Sequence, residues 1–125
     1  MLSKAELVSV KKAIEKLYNG RCTITEYHKV IKANKSTGFE EVTVLTDQPC
    51  KLSFGTSNST SPTNSGASAV SQTVKVFISP DIIVKPGSKL TITQNGITTE
   101  YKNSGQPSVY STHQEIALES FKGWS

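Results

Sequence analysis

The sequence predicts a mainly β domain: a small antiparallel β-barrel or sandwich with one N-terminal α-helix and a long flexible loop. Three observations carry this expectation. From Arg21 onward, apolar and polar residues alternate with a period of two in segments rich in Thr, Val, Ile and Tyr, the pattern of half-buried strands. Turn-forming residues separate these segments at short intervals with no helical pattern between them, as in small all-β folds. Finally, 125 residues suit one core rather than two, so residues 1–125 are read as a single domain.

The helix is expected over residues 4–19, where Leu7, Val10, Ile14 and Leu17 recur at steps of three and four and form one apolar stripe. Ser3 with Glu6 makes a capping-box pattern, and Gly20 stands where a left-handed C-terminal cap is wanted. About four turns of helix are marginal alone, so the stripe must dock, either on one end of this domain's own core or on a neighbouring subunit. Strands are expected at 21–32 and 40–46, around the turn Asn34-Lys35-Ser36-Thr37-Gly38, and then at 50–54, 73–79, 89–94, 97–102 and 113–119. Asn95-Gly96 is the strongest hairpin signal, because a type I′ turn needs positive φ at both central residues. The expected core is Cys22, Ile24, Val42, Val44, Leu52, Phe54, Val74, Val76, Ile78, Leu90, Ile92, Tyr101, Ile116 and Leu118. Cys22 and Cys50 alternate in phase with apolar neighbours and read as buried free thiols.

Between strands lies the most unusual stretch, residues 55–71, inside an uncharged run from Leu52 to Val74. Ser, Thr, Asn and Gly bury too little apolar surface to offset ordering costs of about 1–2 kcal/mol per residue, so a long loop is expected there. Loops of this length inside a compact domain are usually either functional or plain disordered linkers.

The charge sum is +4, from 14 basic and 10 acidic residues, and Arg21 is the only arginine. The charge is spread along the chain on either side of the neutral stretch, unlike the clustered Lys and Arg of a phosphate-binding face. The opening residues carry no apolar signal-peptide core, and no eighteen apolar residues follow one another, so a cytosolic, non-membrane protein is expected. His28 and His113 stand alone, without zinc-type spacing. No phosphate-binding glycine loop, nucleophile elbow or zincin helix is present. Asp47, Asp81, Glu100, Glu115 and Glu119 are scattered over turns and strands. These features point away from an enzyme and imply no cofactor and no metal.

One order of pieces does match a known pattern. Arg21-Cys22-Thr23-Ile24-Thr25 is followed by a hairpin with Gly38, a strand, a long Ser/Gly loop and Val74-Lys75-Val76-Phe77-Ile78. Pro80-Asp81-Ile82, Pro86-Gly87-Ser88-Lys89-Leu90, Gly96 and Tyr101 come next. Over residues 21–119 this layout resembles the head-closure (stopper) and head–tail joining proteins of long-tailed bacteriophages. In two respects it departs from them: Val42 and Val44 stand where that family often has a tryptophan, and the helix precedes its usual first strand. The resemblance implies a virion structural protein of the neck, made in the host cytoplasm. It would form a cyclic homo-oligomeric ring that closes the portal channel after DNA packaging and receives the tail. Its partners would be portal or adaptor proteins, tail proteins and, non-specifically, packaged double-stranded DNA. Gly55, Ser57, Ser59, Pro62, Asn64, Gly66 and Ser68 fall where the family projects a segment into the channel, and Phe121 and Trp124 are either interface anchors or groups that pack back on the domain. The rival expectation is a small barrel that binds single-stranded nucleic acid, with Tyr27, Phe77, Tyr101 and Tyr110 as stacking groups.

Overall fold

The computed structural model describes residues 2–59 and 69–124. Its elements are α1 (Lys4–Glu15), β1 (Gly20–Ile31), β2 (Thr37–Ser59), β3 (Ala69–Ile78), β4 (Lys89–Gln94), β5 (Ile97–Asn103), β6 (Ser108–Val109) and β7 (Gln114–Ser120). All strand pairs are antiparallel. The ladder runs β3-β2-β1-β4-β5-β7, and a further pairing of β3 with β7 closes it on itself, with β6 lying beside the start of β7. The mainly β, antiparallel architecture with one N-terminal helix is therefore the one the sequence calls for.

The inward faces meet in one core of Cys22, Ile24, Cys50, Leu52, Val76, Ile78, Leu90, Ile92, Tyr101, Ile116 and Leu118, joined by Val84 from the β3–β4 connection. Cys22 and Cys50 are both buried and free. Cys22 is held protonated: its hydrogen bond to Cys50 and its burial both push the thiol pKa up. Gly20 is fixed by this packing, since a Cβ there would lie 2.9 Å from the Cys50 backbone oxygen and 3.2 Å from its Sγ. Asn95 and Gly96 take φ values of 54° and 77°, and the β4–β5 turn is the positive-φ hairpin its sequence demands.

Four expected core positions face outward or only half inward; Val74 on β3 is half-buried against the core, and the course of β2 explains the other three. The expected strands 40–46 and 50–54 are one 23-residue strand, against an ordinary strand of about 5–6 residues. Its register against β1 slips twice, between Cys22 and Ile24 and between Ile24 and Thr25. Asp47, at a φ of 53°, sits in the first irregularity. At the second, Ile24 faces Leu45 and Thr25 faces Thr43, so Val44 is the extra residue of a bulge. A one-residue slip reverses the faces: Leu45 turns toward the core in place of Val44, which is 39% exposed. Val42 is half-buried. Phe54 is 55% exposed because β2 has left β1 after Cys50, where the ladder between them ends.

The helix is shorter than expected. Ser3 Oγ accepts a hydrogen bond from the Glu6 backbone N–H and donates one to its carboxylate, giving the expected cap. Past Glu15, however, Leu17 and Tyr18 bond back only three residues, so the last turn tightens out of the α form. That rotation leaves Leu17 72% exposed, while Leu7, Val10 and Ile14 are half-buried. No α1 residue is fully buried, and an ion pair of 3.2 Å from Lys11 to Asp81 ties the helix to the β3–β4 connection.

That connection is clamped by two buried amides. Asn103 Nδ2 donates to the carbonyls of Val84 and Lys85 at 3.1 and 3.2 Å, and its Oδ1 accepts from the Gly105 N–H. Gln114 Nε2 donates to the carbonyls of Ser79 and Ile82. The Lys85 and Ser79 carbonyls also accept the backbone N–H of Ser88 and Ile82, whereas those of Val84 and Ile82 rely on the amides for a buried partner. Asn103→Ala is expected to lower stability by about 1–3 kcal/mol, the cost of leaving the buried Val84 carbonyl unpaired. Urea denaturation checks this, with a reduced midpoint and an unchanged slope.

Candidate functional site

Closure of the ladder defines where the ring stops. The β3–β7 pairing runs from Ile78↔Gln114 to Val74↔Leu118, and the β1–β2 pairing ends at Gly20↔Cys50. The β2–β3 pairing continues well past both, through Gly55↔Thr73, Ser57↔Ser71 and Ser59↔Ala69. Residues 55–59 and 69–73 thus form a two-stranded ribbon that extends beyond the ring, with no other strand partner among the described residues. Of the long loop expected over 55–71, Gly55, Ser57 and Ser59 lie on β2. The ladder already formed at Cys50–Phe54 extends by backbone hydrogen bonds, which need no apolar side chains. Pro62, Asn64, Gly66 and Ser68 lie outside the described residues.

At the ribbon's root, Leu52, Phe54, Gln94, Asn95, Ile97, Thr99 and Tyr101 line a recess of about 130 Å³. Gln94 Oε1 accepts the Leu52 N–H at 2.8 Å, replacing the strand partner that β2 loses when it leaves β1. Formal charge begins only inside the ring, at Lys51 and Lys75, the latter 3.6 Å from Glu115.

The candidate anchors after β7 face their own sheet. Trp124 stacks on Tyr27 with ring centroids 4.9 Å apart, Tyr27 stacks on Phe39 at 5.3 Å, and Phe121 meets Trp124 edge-on at 5.0 Å. Glu41 Oε1 accepts from both Trp124 Nε1 at 2.9 Å and Lys89 Nζ at 3.0 Å. The Lys89 ammonium also lies 3.4 Å from Glu100, 5.2 Å from the Phe121 centroid and 5.7 Å from that of Trp124. Its side chain is only 11% exposed; two carboxylates and two ring faces take the place of water around the charge. Spacing alone had no means of bringing Lys89, Glu41 and Trp124 together, since they come from three separate elements.

The aromatic residues of the nucleic-acid reading do not share a face. Tyr101 is a core residue, Tyr27 lies inside the stack just described, and Tyr110 stacks on His113 at 4.8 Å, with Phe77 6.0 Å from the same imidazole. His113 also lies 3.2 Å from Glu115, and His28 lies 2.7 Å from Glu26. Among the described residues, no three His, Cys, Asp or Glu side chains converge as a metal site would require.

A surface that sequence reasoning missed lies on the clamped β3–β4 connection. Pro80, Ile82, Ile83, Val84, Pro86, Pro107 and Val109 line an apolar groove of about 310 Å³, with Ile83 79% and Val109 63% exposed. Its signal was the Ile82-Ile83-Val84 run between Pro80 and Pro86: Val84 joins the core and Ile82 packs against it, which leaves Ile83 outside.

No protein-family model matches the chain, and no curated protein gives a significant match. Among solved structures, the phage-like element PBSX protein xkdH from Bacillus subtilis overlaps 78% of this chain and 90% of its own, at 11% identity and a TM-score of 0.45. An overlap of this size carries no weight for function.

The aromatic cluster makes a pH prediction. The Trp124 hydrogen bond first, and the Lys89 hydrogen bond second, hold the Glu41 carboxyl below the usual glutamate range. Lys89 is raised above the usual lysine range, chiefly by its hydrogen bond to Glu41. A depressed carboxyl contributes stability above its unfolded value and loses it as pH falls through the folded one; a raised ammonium loses its contribution as pH rises. The contact is therefore complete from the usual glutamate value up to the usual lysine value. Emission from Trp124, the single tryptophan, is expected to show an acid transition centred below the usual glutamate range, absent in Glu41→Gln.

Proposed function

We propose that this chain is a structural protein of a tailed-phage virion, a head–tail connector of the neck. In this reading, copies form a cyclic ring that closes the portal channel after DNA packaging and offers the docking surface for the tail. The sequence resemblance over residues 21–119 supports it, and the observation that carries it is the ribbon. A two-stranded element free of formal charge projects from a closed, well-packed sheet, and its root is fixed by the β3–β7 pairing.

The chemistry suits a channel that must hold DNA and later release it. Affinity for a polyanion comes mainly from Lys and Arg that displace counterions, and the run from Leu52 to Val74 holds neither. It also holds no carboxylate to repel phosphate. One ribbon cannot fill a channel, but cyclic symmetry brings one from every copy to the axis. The outer edges of the ribbon strands carry no charge to block strand pairing, so neighbouring ribbons can supply one another's backbone partners. The groove around Ile83 and Val109 is open for contacts with a neighbouring copy, portal or adaptor proteins, or tail proteins, whereas Phe121 and Trp124 are engaged within the chain.

The ribbon lies outside the closed ladder, and its removal should leave the ring intact. With residues 56–70 replaced by a short Gly-Ser turn, the thermal transition is expected to move by no more than a few degrees. Heads assembled with this variant should package DNA and then lose it. Full DNA retention in those heads would contradict the proposed role.

A further inference from the structure

The β1–β2 hairpin forms a second projection, at the opposite end of β2 from the ribbon. Pairing of β1 with β4 ends at Thr25↔Lys89, while β1 and β2 go on pairing with each other from Glu26↔Val42 to Ile31↔Thr37. Among the described residues, 26–42 therefore make an arm whose strands pair only with one another. Its root coincides with the Val44 bulge, where one strand carries an extra residue and the ladder is locally broken. A cavity of about 190 Å³ separates the arm from the ring, lined on the arm side by Glu26, Tyr27 and His28 and on the other by Lys85–Ser88 and Trp124.

Few contacts bridge this gap. Glu26 reaches Lys85 at 3.8 Å and Glu41 reaches Lys89 at 3.0 Å. The segment after β7 supplies the rest: Trp124 covers Tyr27 and donates to Glu41, and Phe121 is held to β5 by its backbone N–H on the Glu100 carbonyl. One carboxylate oxygen, Glu41 Oε1, thus joins the arm, the ring through Lys89 and the strap through Trp124.

We propose that residues 121–124 are a strap that latches a hinged arm. With the strap in place, the β1–β2 arm is held against the ring; with the strap displaced, the arm swings about the Thr25/Val44 root and bares the faces of Tyr27 and Lys89 that Trp124 and Phe121 now cover. The latch is independent of the neck reading and follows from the contacts alone. A partner that offers both an aromatic face to Tyr27 and a donor to Glu41 would open it, because it would replace the stack and the hydrogen bond that Trp124 gives up.

Hydrogen–deuterium exchange on the full chain tests this. In Trp124→Ala the released arm is a two-stranded hairpin, marginal on its own. The paired backbone amides within 26–31 and 37–42 should therefore exchange at least ten-fold faster, while those at 22–24, 76–78 and 90–92 stay within about two-fold, the signature of local rather than global opening. Trp124→Phe keeps a ring for the stack but loses the donor to Glu41, and should give an intermediate acceleration confined to the same amides. Unchanged arm amides in Trp124→Ala, or an equal acceleration in arm and core, would overturn the latch.

Discussion

The five residue pairs that join β3 to β7, from Val74↔Leu118 to Ile78↔Gln114, are the constraint on which the rest of the structure depends. They turn an open ladder into a closed one and remove two edges that would otherwise be exposed. They also bring Val76 and Ile78 against Ile116 and Leu118, four of the side chains that fill the interior. Without this pairing β3 would hang from β2 alone, and the ribbon would have no fixed base. The same closure places Gln114 where its amide can hold the carbonyls of Ser79 and Ile82, so the β3–β4 connection is rigid because the ring is closed.

A second consequence follows from β2. Its middle belongs to the ring, its start to the arm and its end to the ribbon, and two bulges let it bend between these surroundings. The projections differ in chemistry. The arm carries Glu26, His28, Lys29, Lys32, Lys35, Glu40 and Glu41 and is fastened by ionic and aromatic contacts, whereas the ribbon carries no charge at all. A neutral element suits contact with a polyanion it must not bind, and a charged, strapped one suits specific protein contacts. In the proposed ring, one continuous strand would link these two tasks.

Much of this was legible in the sequence because it is written locally. The Asn95-Gly96 turn, the Ser3–Glu6 cap and the alternation of Cys22 with Ile24, Val76 with Ile78 and Leu90 with Ile92 each depend on neighbouring residues, and the structure contains all of them. What was not legible depends on distant partners. The Val44 bulge exists only in relation to β1, so Val44 read as core and Leu45 did not. The ribbon extends because β2 and β3 are already paired at its root, which composition cannot register. The Glu41–Lys89–Trp124 cluster joins residues up to 83 positions apart, and only the charge and ring types, not their meeting, were visible beforehand.

The central claim is that the charge-free ribbon is a channel element carried by a ring of these domains. Cryo-electron microscopy of the protein mixed with a tailed-phage portal complex, the proposed partner, tests it most directly. The account predicts a cyclic layer in which each closed sheet stands at the wall and each ribbon points toward the axis, narrowing the channel. A ring with its ribbons directed outward, or no ring on the portal complex, would contradict it.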